Sequence, residues 1–251
     1  FTGALPEDFV IEDALLNATV GGQLISSLLA VCCVTVAFCS NLLMVQDRVS
    51  GARRDLAVSP VRPSTIAVAY FCASALATLL ISLTALAACL LYLAVTGWML
   101  RAGDVLSVLL DVALLTLFGV ALSSCVNFPL RTQGQGSAVG TIVSAGYGFL
   151  CGAYMPISNF SSGLQKVLSF LPGTYGTSLL RNHALAGAYR EMARVGFPAE
   201  VIEAIRDSID CNLYFFGRSV SIGGMYAVLV GATLLLVGLY VLLNAVRRER
   251  T

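Results

Sequence analysis

The chain has 251 residues, of which 57% are hydrophobic and only 12% are charged, and its mean hydropathy is +0.85. An average soluble domain contains about 25% charged residues, so this composition argues against a soluble globular protein. The net charge of +1 at pH 7 gives no reason to expect a nucleic-acid partner.

Five long apolar stretches follow one another along the chain, and only one of them contains a formally charged residue, Asp111. A bilayer core about 30 Å thick is crossed by roughly 20 apolar residues in a helix. We therefore predict an all-α integral membrane protein. Its five transmembrane helices are expected at Leu24–Val45, Thr65–Val95, Val105–Val126, Ser137–Met155 and Ser221–Val246.

Basic residues in the short loops indicate the orientation, because cytoplasmic loops retain Lys and Arg whereas translocated loops lack them. The segments Phe1–Gln23 and Thr96–Asp104 carry only Arg101. We therefore expect a multi-pass protein of the cell membrane, with Phe1–Gln23 outside and the tail Arg247–Thr251 in the cytoplasm. Eight arginines lie on the predicted cytoplasmic side: Arg48, Arg53, Arg54, Arg62, Arg131, Arg247, Arg248 and Arg250.

The start of the chain predicts a further element. The sequence opens at Phe1 without a Met and without the charged and apolar regions of a signal peptide. We expect one more span upstream of Phe1, which would make six.

The predicted cytoplasmic loop Gln46–Ser64 alternates charged residues with apolar ones such as Val49 and Leu56. This pattern favours a short amphipathic helix on the membrane surface, which Pro60 and Pro63 would end. A solvated turn that only carries the cytoplasmic positive charge is the alternative.

The longest predicted outer segment is Pro156–Val220, and we expect a helix there that begins at Pro198, a favoured first position. Its apolar residues Val201, Ile202, Ile205 and Ile209 are expected to share one stripe. We predict an outer helical cap that packs on its own subunit, with capture of a ligand as the alternative.

The fourth predicted span has a small residue at every fourth position. In a membrane, small residues in register let two helix backbones approach closely. The pattern predicts a packing seam, whose partner is a helix of the same chain or of a second subunit. Its residues are Gly136, Gly140, Ser144, Gly148 and Gly152.

Asp111 lies about two turns into the third predicted span, where an ionisable side chain costs roughly 2.5–3.5 kcal/mol on insertion scales. Together with Asn41 in the first span, it is a candidate element of the translocation path, and it is also a candidate proton relay. A structural hydrogen bond to a neighbouring helix, or snorkelling to the outer interface, is the alternative. We expect His183, the only histidine, at the surface.

Seven of the eight cysteines fall within predicted spans and show no metal-ligand spacing, so we expect small buried hydrophobes and no metal site. Cys211 stands alone on the predicted outer face. A free or intermolecular thiol is expected there.

Two stretches together resemble the type-2 ATP-binding-cassette (ABC) export permeases. The string D-R-x-x-G-x-x-x-D-L-x-x-S-P-V at Asp47–Val61 is similar to the coupling segment of that family, and Gly152–Tyr175 is similar to its re-entrant outer signature, with a downstream Arg. The resemblance implies that coupling to an ATPase involves Asp47, Arg48, Gly51, Arg53, Arg54, Asp55, Leu56, Ser59 and Pro60. It also implies an outer motif made by Gly152, Pro156, Leu171, Pro172, Tyr175 and Arg181.

The same resemblance implies a permease subunit with no enzymatic activity of its own. Lys166 is the only lysine, and it lies in no G-x-x-x-x-G-K-[ST] loop. ATP and Mg²⁺ are therefore expected on a separate cytoplasmic ATPase, and no cofactor is expected on this chain. A second permease copy or paralogue completes the implied dimer, which contacts membrane lipid.

The function implied is outward export of an amphipathic drug, peptide, lipid or glycolipid. Polysaccharide export on the same scaffold is one alternative. An ion-coupled secondary carrier that uses Asp111 is another, although such carriers commonly show internal repeats and no convincing repeat is present. A membrane scaffold without transport is the third.

Overall fold

The computed structural model describes residues 13–52 and 63–248, and its side chains are described for 13–52 and 65–244. The described part is almost entirely helical. Its elements, in chain order, are α1 Asp13–Asn41, α2 Leu43–Ser50, α3 Pro63–Thr96, α4 Ala102–Asn127, α5 Gln133–Leu150, a 3-10 turn Ile157–Asn159, α6 Ser162–Leu168, α7 Pro172–Ala184, α8 Ala186–Val195, α9 Ala199–Ser208, β1 Tyr214–Phe215, β2 Arg218–Ser219 and α10 Ile222–Arg248.

Within the described ranges, four segments are long and apolar enough to cross a membrane. The predicted class, an all-α integral membrane protein, is thereby confirmed. The predicted spans at Thr65–Val95, Val105–Val126 and Ser221–Val246 fall on α3, α4 and α10. The four segments are Asp13–Ser50, Thr65–Thr96, Ala102–Asn127 and Ile222–Asn244.

The predicted outer loop Phe1–Gln23 is wrong over its second half, because α1 already begins at Asp13. An acidic residue in the first turn is favourable beside the positive end of the helix dipole. The helix continues through Gly22. At this position α1 lies so close to Leu185 that a Cβ on Gly22 would be 2.6 Å from the leucine Cδ2. The glycine therefore permits packing and does not mark a loop.

The predicted first span also ends too early. After a one-residue break at Leu42, α2 continues to Ser50, and Gly51 then adopts a left-handed conformation with φ +90°. Glycine takes this conformation without a steric penalty, which makes it a common helix terminator. The amphipathic helix expected across Gln46–Ser64 is thus partly the end of α2, and its remainder from Arg53 to Arg62 lies outside the described residues.

Helix α5 is shifted from the predicted span Ser137–Met155. It begins after Thr132, whose hydroxyl accepts from the Gln135 backbone N–H at 3.2 Å, a capping arrangement that fixes the start of a helix. It ends at Leu150 because Gly152 leaves the helix with φ +74°. With 18 residues and a polar first turn, α5 is not one of the four candidate spans.

Helix α5 nevertheless runs antiparallel to α1 over much of the bundle. Near its start, a Cβ on Gly136 would lie 2.7 Å from Leu42 Cδ2. Beyond its end, the Gly152 carbonyl accepts a hydrogen bond from Arg181, which also reaches Ser27. The residues Leu42 and Ser27 are about 22 Å apart along α1 at 1.5 Å per residue.

The core lies where α1, α4 and α7 meet. Val112 and Leu115 of α4 and Leu179 of α7 are fully buried. Gly119 lets α4 approach α1 closely, with Ala37 Cβ 3.1 Å from where a Cβ would stand, as is usual for helix contacts in membranes. The outer faces of α3 and α10 expose large apolar side chains, as a lipid-facing helix does.

Candidate functional site

Arg48 ties the end of α2 to the end of α4. Its Nη1 donates to the carbonyl oxygens of Phe128 at 2.7 Å and Leu130 at 2.5 Å, and its guanidinium stands 5.9 Å from the centre of the Phe128 ring. The last carbonyl groups of a helix lack partners within the helix, and a cation there is favourable. We call this level of the bundle the Arg48 end.

Asp47 ties the same short helix to α3, because its Oδ2 accepts from the Tyr70 hydroxyl at 2.6 Å. The predicted coupling residues Asp47 and Arg48 thus contact their own chain and fix the point at which the chain leaves α2. Gly51 ends the helix there. The other residues of the predicted coupling set, Arg53, Arg54, Asp55, Leu56, Ser59 and Pro60, lie outside the described residues.

Arg181 is the centre of the outer motif and is only 1% exposed. Its guanidinium donates to the carbonyl oxygens of Gly152 and Ile209, the latter at 2.9 Å, and lies 3.4 Å from Asp210 Oδ2. A buried charge needs such partners to offset the loss of water. Burial lowers the pKa of Arg181, and the charge of Asp210 opposes that change. We call this level the Arg181 end.

Asp210 joins the arginine to the 3-10 turn. Its carboxylate accepts from the backbone N–H groups of Ile157 and Ser158, the latter at 3.1 Å. Burial raises the pKa of this carboxyl, and the Ile157 N–H and Arg181 oppose the rise. The predicted motif residues Gly152 and Pro156 precede this turn directly, so the structure brings both ends of the motif together around Arg181.

The middle of the outer motif starts α7. Leu171 is its N-cap and Pro172 occupies the first helical position. Proline suits this position because the backbone N–H that it lacks would have no partner within the helix. The Tyr175 hydroxyl donates to Ser169 O at 2.7 Å and so fixes the turn between α6 and α7. Gly173 sits so close to Tyr147 that a Cβ would lie 2.8 Å from its hydroxyl.

Asp111 has two partners from two other helices. Its Oδ2 lies 2.6 Å from Nδ1 of His183 on α7, and its Oδ1 accepts from the Tyr226 hydroxyl of α10 at 2.5 Å. The expectation that His183 is a surface residue is wrong, since its side chain is 16% exposed and paired. An acid inside a predicted span requires a partner. The chain's only histidine was a candidate partner that the sequence already offered.

Asn41, the second polar candidate, joins three helices. Its Nδ2 donates to the hydroxyls of Ser124 at 2.7 Å and Ser123 at 2.9 Å on α4, and its Oδ1 accepts from Ser74 of α3 at 3.3 Å. The side chain is buried. These contacts give Asn41 a structural role in the helix junction.

Comparison with known families decides the class. The family model described as ABC-2 family transporter protein matches residues 13–246. This chain belongs to the ABC-2 transporter family. No match was found among curated proteins.

The small residues of α5 in this ABC-2 protein do not form one continuous contact within the chain. Gly136 faces Leu42, Gly148 faces the ring of Tyr154, and a Cβ on Gly140 would meet none of the described residues within 4 Å. The Ser144 hydroxyl donates back to the Gly140 carbonyl at 2.8 Å. Gly152 serves the turn after the helix.

An apolar groove of about 1020 Å³ lies between α1 and α3 of the ABC-2 protein. Apolar side chains make up nearly all of its surface, and Ser27 and Thr35 contribute hydroxyls. Tyr154 also lines the groove and directly follows Ala153, whose carbonyl oxygen accepts from Arg181 at 3.5 Å. The groove therefore extends along α1 toward the Arg181 end. Its lining includes Leu28, Val31, Cys32, Ala88, Cys89 and Tyr92.

Proposed function

We propose that this chain is the transmembrane permease subunit of an ABC exporter, driven by ATP hydrolysis on a separate cytoplasmic ATPase. Membership of the ABC-2 family over residues 13–246 carries the proposal. The Arg48 end then faces the cytoplasm and the Arg181 end faces outward, in agreement with the arginines of the short loops. The tail after α10 is cytoplasmic.

The coupling segment Asp47–Ser64 is proposed to dock on the ATPase. Its entry point is held on two sides, by Asp47 on Tyr70 of α3 and by Arg48 on the carbonyl groups after α4. A displacement of the loop would therefore act on α1, α3 and α4 together. This clamp supports transmission of movement from the loop into the bundle.

Helix α1 offers a path for that movement to the outer end. It is unbroken from Asp13 to Asn41, and its Ser27 Oγ lies 3.4 Å from Arg181 Nη2. We propose that a shift of α1 relative to α3 changes the width of the groove and, through Arg181, the position of α7. Packed elements of this kind move as units because interiors do not deform continuously.

The groove favours an amphipathic or lipid-like cargo such as a drug, peptide, lipid or glycolipid. Sugar hydroxyls would lose water against its apolar lining with few partners to replace it, and each unsatisfied hydroxyl costs about 1–3 kcal/mol in proteins. A polysaccharide is therefore the less favoured cargo. A second permease copy or paralogue is proposed to complete the path, with the open surface at Gly140 as one available contact.

The experiment uses the full-length protein co-expressed with its ATPase. Leu56→Asp places a charge in the proposed docking segment, which should cost on the order of a few kcal/mol if the contact excludes water. We expect the variant to insert in the membrane but to lose co-purification with the ATPase and cargo-stimulated ATP hydrolysis.

Gly134→Asp is the matched control. It adds the same charge at the Arg48 end, in the first turn of α5, where an acid is favourable. A Cβ at Gly134 meets no atom of the described part of the chain within 4 Å. Normal co-purification of both variants would overturn the docking proposal. Transport driven by an ion gradient without ATP would instead support a secondary carrier.

A further inference from the structure

Three phenylalanines form an exposed cluster on the outer cap. Phe170 follows α6, and Phe215 and Phe216 lie at the tip of the β1–β2 hairpin. Their ring centres are 5.3 Å, 5.9 Å and 4.9 Å apart, all edge to face. Phe170 and Phe216 are each 62% exposed, which is unusual for side chains that pack this closely on one another.

The hairpin holds one of these rings outward in a conformation that phenylalanine rarely adopts. Phe216 and Gly217 are the two turn residues, with φ of 49° and 81°. Glycine accepts this conformation readily, but a bulky residue does so only at a cost. A strained position that presents an apolar ring to the outside points to a role for that ring.

The cluster extends onto α6. Leu164 and Val167 are exposed, lie six and three residues before Phe170, and share one face of the helix. Two cations border this surface: Lys166 on α6, and Arg218, which pairs with Phe215 across the hairpin. The carboxylate of Asp207 lies behind the hairpin, where it accepts from Tyr214.

The depth of the cluster follows from α7. Gly176 of α7 packs on Leu115 and Leu229, whereas His183, two turns later, contacts Asp111 nearer the outer end of α4. Helix α7 therefore runs outward, and its first residues are its deepest. Leu229 lies about 10 Å into α10 at 1.5 Å per residue. The start of α7 therefore lies below the outer end of α10, and Phe170 precedes α7 by two residues.

We propose that the surface formed by Phe170, Phe215, Phe216, Leu164 and Val167 inserts into the outer leaflet and anchors the cap on membrane lipid. Aromatic rings concentrate at the membrane interface, and Lys166 and Arg218 complement lipid phosphate. A second copy of the chain fits less well, because a two-fold contact of this surface would bring the same cations toward each other. This anchor is independent of the proposed transport cargo.

The test uses tryptophan as a depth probe. Trp98, the only native tryptophan, is replaced by Phe, and Phe216→Trp is introduced in the full-length protein, reconstituted in vesicles of phosphatidylcholine and phosphatidylglycerol. Lipids brominated near the top of the acyl chain should quench the emission strongly, as expected for an interfacial ring. Phe170→Trp gives a second, independent probe if the hairpin variant folds poorly.

Val195→Trp in the same background is the control, because this exposed position follows Arg194 and Glu191 on the cap. Its emission should respond to iodide in the water and not to brominated lipid. Two results would overturn the anchor. One is quenching of the Phe216→Trp variant by iodide alone, and the other is protection of its emission from both quenchers, which indicates contact with protein.

Discussion

Nδ1 of His183 lies 2.6 Å from Oδ2 of Asp111, and this contact joins helix α7 to helix α4. Asp111 is 1% exposed and also accepts from Tyr226 of α10. A single carboxylate therefore holds three helices at one level. The structural alternative weighed for this residue, a hydrogen bond to a neighbouring helix, matches its observed contacts.

Replacement of Asp111 separates its charge from its hydrogen bonds. Asp111→Asn keeps an acceptor for Tyr226 and a polar group for His183, so we expect a folded protein with partly preserved ATP-dependent transport. Asp111→Ala leaves both partners without their acceptor and should lower stability by about 1–3 kcal/mol. Thermal unfolding in detergent and ATP-dependent efflux measure the two effects. A gradient-driven transport abolished by Asp111→Asn, with no ATP requirement, would point to a proton carrier.

Loss of Arg181 should be the most damaging charge removal on the outer side. Arg181→Ala leaves Asp210 buried without its cation, and the carbonyls of Gly152 and Ile209 lose a donor. We expect a destabilisation of about 3–5 kcal/mol, seen as loss of monodisperse protein. The control is Arg194→Ala, which removes an exposed pair with Glu191 and should change stability far less, because solvent screens exposed pairs. Equal yields of the two variants would contradict this account.

Gly187 allows α8 to pass directly over the loop after α3. A methyl group at Gly187 would overlap the Met99 carbonyl, a backbone group that cannot rotate away. Gly187→Ala should therefore lower the unfolding temperature. Gly140→Ala, whose methyl group meets nothing within 4 Å in the described ranges, should leave it unchanged or raise it slightly. If Gly140→Ala disrupts only the assembled complex, Gly140 contacts a second subunit.

The thiol of Cys211 should be unreactive in the folded protein, contrary to the accessible outer thiol that the sequence predicts. Cys211 is 1% exposed, its sulfur lies 3.2 Å from the Tyr189 hydroxyl, and burial raises its pKa to about 11. An aqueous maleimide at about pH 7.5 should label it only after denaturation. Rapid labelling of the native protein would show that the cap opens.

The same pKa gives a pH dependence. The unfolded thiol ionises near its ordinary value of 9.0, so between that pH and about 11 the unfolded state loses its proton first. The contribution of Cys211 to stability is complete below pH 9 and is lost as the pH rises through this window. Cys211→Ala should flatten unfolding curves between pH 9 and about 11, and an unchanged slope would exclude this thiol as the cause.

The sequence by itself determined the membrane class and the positions of α3, α4 and α10. These features depend on local properties, because long apolar runs have no soluble alternative. Only the structure placed the start of α1 at Asp13 and the bounds of α5 at Gln133 and Leu150. A glycine such as Gly22 is compatible with a loop or with a close helix contact, and its proximity to Leu185 shows which of the two applies.

Only the tertiary structure decided which polar groups meet. Asp111, His183 and Tyr226 are up to 115 residues apart in sequence. The periodicity of one helix does not indicate which residue of another helix will contact it. The same holds for Arg48, which reaches the carbonyls after α4, and for Cys211, which the cap encloses. Hydropathy fixes which segments enter the membrane, whereas close packing between helices fixes which buried charge finds which partner.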